Sequence, residues 1–191
     1  MNKIFQLKIA VLKKRVKALI LFTAVYLVGF ILGLIFSSKD CDSVFYINAT
    51  NYHVLIFDST VSPLKSVINC FLSGVLLTVT VFILGFSKYT VPIEGIVIFY
   101  RGLILGSTAV LFFQLSKFNG VVTFIILTLP CHLLITAGLI VASVLNLDGC
   151  IKPNWIAILK NCIISILFAL IASIYVFFIL VTVIRPINMI F

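Results

Sequence analysis

Few residues of this 191-residue chain carry groups able to do chemistry, and their spacing limits what that chemistry is. Glu94 and Arg101 stand seven residues apart in an otherwise apolar run. On a helix that separation is about two turns, ~10 Å along one face. Ionisable groups inside an apolar helix turn toward protein or water. The pair therefore reads as structural, with the arginine leaning back toward Glu94 and the membrane surface. The sharper alternative is a polar path for a transported species. His132 follows Pro130 by two residues, and Thr128, His132 and Thr136 recur at every fourth position. Pro130 withholds the N–H that the Ile126 carbonyl would receive. Neighbouring helices, hydroxyls or water normally supply the missing donor. Asn69, Ser73 and Thr80 offer a polar face for this stripe. Hydrogen bonding between helices is the plain reading, and a path for protons or a substrate the alternative.

No catalytic constellation accompanies these groups. The chain has no HExxH, no GxSxG, no Gly-rich phosphate loop and no close carboxylate pair. His53 and His132 are the two histidines. Cys41, Cys70, Cys131, Cys150 and Cys162 show no paired spacing, and the three inside apolar runs behave as small hydrophobes. The expectation is a protein that is not an enzyme and needs no cofactor or metal.

Composition names the elements that must position these residues. The chain is 63% apolar and 10% charged, against roughly 45–50% and about 25% in a soluble domain. A water-soluble globule is excluded, and so is a β-barrel, whose strands would alternate apolar and polar residues. The expected fold is an all-α polytopic membrane protein, a bundle of five transmembrane helices at about residues 18–36, 66–86, 93–115, 121–147 and 161–184. Residues 18–191 then form one helical membrane domain with an outer loop at 37–65, and residues 1–17 a basic segment before it. The lipid bilayer is the first partner this implies. Nine Lys and Arg on the N-terminal side of the spans against four on the other side predict a cytoplasmic N-terminus and an external C-terminus. The +9 net charge is thus an orientation signal, and nucleic acid is not an expected partner. Phe5, Ile9, Leu12 and Val16 recur at helical spacing among lysines. Such a segment either lies on an anionic leaflet or only enforces topology.

Two small-residue pairs stand out within the spans: Gly29 with Gly33, and Gly102 with Gly106 directly after Arg101. Glycines four apart let two helices approach until their backbones touch, which matters where lipid offers no hydrophobic drive. Packing of the first or second span on the third is expected, with association of two copies into a homo-oligomer as the alternative.

At these residues the chain resembles the stage II sporulation protein M family. The resemblance runs through a basic tail before Val28-Gly29-Phe30-Ile31-Leu32-Gly33, then Phe82-Ile83-Leu84-Gly85-Phe86 and Val91-Pro92-Ile93. It continues through Phe99-Tyr100-Arg101-Gly102-Leu103-Ile104-Leu105-Gly106, similar to the family's cation–Gly–three apolar–Gly pattern. Leu129-Pro130-Cys131-His132-Leu133-Leu134 resembles its proline-centred segment. Some wider relatives place His directly after Pro and Glu four residues later. Here Cys131 intervenes and Thr136 stands where that Glu would be. The resemblance implies a non-enzymatic scaffold in the bacterial cell membrane, in the mother cell during engulfment of the forespore. It also implies two peptidoglycan-degrading partners, stage II sporulation proteins D and P.

Overall fold

The computed structural model describes residues 3–39, 63–85, 90–149 and 155–184. Every regular element among the described residues is helical: α1 (Lys3–Lys39), α2 (Pro63–Leu84), α3 (Val91–Thr123), α4 (Leu129–Gly149) and α5 (Trp155–Ile179). A π-helical turn, Phe124–Thr128, joins α3 to α4, and another, Leu180–Ile184, ends α5. Five segments are long and apolar enough to cross a membrane: Val11–Ser38, Leu64–Leu84, Val91–Gln114, Gly120–Leu147 and Trp155–Thr182. The all-helical fold expected from composition is what forms among the described residues, with five helices of membrane-spanning length.

The ends of the elements differ from expectation. The basic N-terminal residues and the first span are one continuous helix, so residues 17 and 18 mark no structural break. Its 37 residues make α1 about 55 Å long, well beyond the ~30 Å hydrocarbon layer. Lys13, Lys14 and Lys17 are exposed along it. At its other end α1 continues through Ser37 and Ser38, and α2 begins at Pro63, so both ends of the expected loop are helical. Phe45, Tyr46, Tyr52 and Phe57, aromatic residues within the span of that loop, lie outside the described residues, as do Cys41, His53 and Cys150. The fifth span starts at Trp155, six residues before the expected 161.

The third and fourth spans form a tight hairpin. Helical hydrogen bonding is assigned from Val91 to Thr123, but Lys117 has φ of 49°, a left-handed conformation uncommon for a residue with a Cβ. It reverses the chain between Gln114 and Gly120. Across the turn the Phe112 and Phe124 rings stand 6.0 Å apart. A Cβ at Gly120 would strike the Phe112 carbonyl, so this position requires glycine.

Two cores result, and α4 belongs to both. Phe22, Tyr26, Ile98, Leu105, Ile140 and Val144 join α1, α3 and one face of α4. Cys70, Val81, Cys131, Ile135, Leu139 and Val176 join α2, α5 and the other face of α4. Direction follows from which residues meet. Along α1 and α3, partners rise together, from Gly29 beside Phe99 to Gly33 beside Leu103. Along α2 and α5 they run oppositely, Gly74 meeting Ala169 and Thr78 meeting Ser165.

Candidate functional site

The Gly pairs of the first and third spans meet each other. A Cβ on Gly29 or Gly33 would overlap the Phe99 or Leu103 carbonyl oxygen. Reciprocally, a Cβ on Gly102 or Gly106 would overlap the Tyr26 or Phe30 carbonyl, and would lie 2.9 Å from the Phe30 or Leu34 nitrogen. Main chain thus touches main chain over two turns of both helices, where dispersion and Cα–H···O contacts accumulate without side chains between. One turn further, Ser37 donates to the Ser107 hydroxyl at 2.8 Å, closing the seam with a hydrogen bond. Each of these pairs, 29 with 99, 33 with 103 and 37 with 107, has the same 70-residue offset. Of the two expected arrangements, the first span is the one that packs on the third, within one chain.

Arg101 sits at the edge of this seam. Residues 101–108 are all buried, so α3 is enclosed on every side there, as expected of a helix surrounded by protein. Arg101 is 3% exposed and Glu94 1%. The arginine is therefore lodged among helices rather than extended along a lipid-facing surface. The two residues look to different neighbours. The Ser143 hydroxyl of α4 lies beside the Glu94 carboxyl, and Cys162 of α5 is within its electrostatic reach. Arg101 instead acts on Tyr26 of α1 and Cys70 of α2.

Pro130 has the effect its sequence position predicts. The helix loosens into the π turn just before it, where Leu129 donates its N–H to Phe124 O. The Ile126 carbonyl that lacks a proline N–H receives the Tyr175 hydroxyl of α5 instead. Thr128, His132 and Thr136 are all buried, His132 completely. Their stripe faces the α1–α3 side, where Thr136 lies beside Tyr26. Two residues of the polar face expected from α2 turn to their own backbone. Ser73 and Thr80 donate to carbonyls of their own helix, Cys70 O and Leu76 O. The face that α2 buries is shifted by a residue: Cys70, Gly74, Thr78 and Val81. Gly74 sets that choice, because only a residue without a side chain lets Ala169 of α5 come so close.

Comparison with family models, with curated proteins and with solved structures finds no match.

Several organising contacts have no signature in the sequence. Thr78 and Ser165 share a hydrogen bond of 2.8 Å between α2 and α5. Asn161 donates to Asn146 Oδ1 at 3.0 Å between α5 and α4. The Cys70 and Cys131 sulphurs stand 3.2 Å apart between α2 and α4. Only Ser37 had a readable signal, since it continues the four-residue period of Gly29 and Gly33. Among the described residues no group of three or more His, Cys, Asp or Glu gathers as metal ligands would.

Proposed function

We propose that this chain is a non-enzymatic membrane scaffold of the stage II sporulation protein M type, which assembles and localises peptidoglycan-degrading partners during forespore engulfment. One observation carries the reading furthest. Two of the segments on which the resemblance rests, residues 28–33 and 99–106, are the ones that interlock in the glycine seam. A seam of main chain on main chain, with Arg101 lodged at its edge, gives a stiff platform whose shape is fixed by few residues. Rigid helices hold partners in place better than loops do. The N-terminus lies in the cytoplasm and the C-terminus outside, as the bias of nine cations against four supports.

The experiment is recovery of partners from sporulating cells with the tagged full chain. Stage II sporulation proteins D and P should co-purify with it, and their absence from the recovered membrane proteins would contradict the scaffold. Orientation has its own test in intact cells. A membrane-impermeant maleimide should label Cys41 and spare Cys150, and the opposite pattern would invert the topology.

A second reading is a small transporter or permease subunit with a polar path near Glu94, Arg101 and Pro130. One observation favours it: Glu94 Oε2 is buried in the bundle without a hydrogen-bond partner, an expensive arrangement for a purely structural group. Glu94→Gln and Arg101→Gln separate the two readings. Solute flux that collapses while the protein stays assembled supports transport; lost abundance or lost partner binding supports the scaffold.

A further inference from the structure

Cys70 and Cys131 are 61 residues apart in sequence and on different helices, yet their sulphurs lie 3.2 Å from each other. Helix register holds them there. Along α2 and α4 the same 61-residue offset brings Gly74 against Ile135 and Gly85 against Asn146, on one side of the pair. Cys70 and Cys131 are 0 and 1% exposed, so neither can turn outward without displacing its helix. A disulfide bond is about 2.05 Å long; closing the pair needs the sulphurs to approach by about 1 Å. The Ser173 hydroxyl, which donates to the Ala169 carbonyl, and the Arg101 charge both lie near Cys70. Cys162, also buried, has Asn146 beside it at 4.0 Å.

We infer that Cys70 and Cys131 form a dithiol–disulfide site within the bundle, oxidised by a lipid-soluble quinone. Two thiols lose two protons and two electrons, an S–S bond forms, and the quinone takes both to become a hydroquinone. The acceptor is lipid-soluble because the bundle's solvent is lipid, and it reaches the pair, 0 and 1% exposed, only when the surrounding helices part. The product is a covalent tie between α2 and α4 in place of the thiol–thiol hydrogen bond of the reduced protein. This goes beyond the scaffold reading and does not depend on it.

The test uses the full chain in lipid vesicles, treated with a short-chain benzoquinone. The sample is then denatured in detergent, alkylated and digested. Expected are a loss of two alkylatable thiols and a Cys70–Cys131 cross-linked peptide, reversed by dithiothreitol, with Cys162 still alkylated. Cys70→Ser and Cys131→Ser should each abolish the cross-link, and Cys162→Ser should leave it intact. The wild-type measurement stands alone if the serine variants fail to assemble. Full alkylation of Cys70 and Cys131 after quinone treatment, or a cross-link between other cysteines, overturns the assignment.

Discussion

The two sides of α4 are held together by different physics. On one side, α1 and α3 meet main chain to main chain at Gly29, Gly33, Gly102 and Gly106. On the other, α5 packs on α2 and α4 through small side chains and hydroxyls: Gly74 against Ala169, Gly138 against Phe168, Thr78 bonded to Ser165. The difference lies in what can give way. A carbonyl oxygen in a helix cannot be trimmed by mutation, whereas an alanine methyl can. The α1–α3 seam should therefore be intolerant and beyond rescue by its partner residue. The α2–α4–α5 side should be softer and open to compensation.

The largest expected effect is at the seam. Gly102→Ala drives a methyl into the Tyr26 carbonyl and should cost about 3 kcal/mol, the upper end for overpacking. Thermal unfolding in detergent measures it, and no single substitution at Tyr26 should restore the loss, because the obstacle is main chain. Gly74→Ala should cost less, about 1–2 kcal/mol, since its new methyl meets the Ala169 methyl at 2.5 Å. Adding Ala169→Gly should recover most of that. Rescue at Gly102, or none at Gly74, would erase the contrast between the two sides.

Smaller effects sharpen the picture of the second side. Tyr175→Phe removes the donor to the Ile126 carbonyl and should cost about 1 kcal/mol. In a Pro130→Ala background, where the helix regains an N–H, the same change should cost less, as a double-mutant cycle would record. Thr78→Val removes the bond to Ser165 and should cost only about 0.6 kcal/mol, typical of a hydrogen bond between membrane helices. Gly95→Ala is the control of opposite sign. Nothing lies within 4 Å of a Cβ built there, so the helix should gain up to about 1 kcal/mol from the lost glycine entropy.

These contrasts also explain which parts of the molecule were legible in the sequence. Five spans could be read because membrane thickness fixes the length of an apolar run, and the spans found differ mainly at their ends. The glycines of the seam could be read because close approach needs small residues four apart. Which helix they would meet could not, since GxxxG specifies a surface and not its partner. Ser37 reads as loop because the apolar run stops at Phe36, although the helix runs on to Lys39. The face that α2 buries lies one residue beyond its polar stripe for a related reason. Hydroxyls at Ser73 and Thr80 satisfy themselves on their own backbone, so a polar stripe need not be a contact stripe. Small size at Gly74 decided the buried face instead. The Cys70–Cys131 proximity depends on the register of two helices that are not consecutive, which no local spacing encodes. Arg101 is anomalous in the sequence, but its enclosure follows from neighbours on α1 and α2 that only the fold brings together.

Cross-linking tests the α1–α3 seam and its 70-residue offset at once. In a background with the native cysteines replaced by serine, Ser37→Cys and Ser107→Cys together should form a disulfide within a single chain in native membranes. Ser37→Cys paired with Phe113→Cys, which is exposed on α3, should not. A one-chain cross-link confined to the first pair is the predicted result. Cross-linking only between two copies, or equally in both pairs, would contradict the seam.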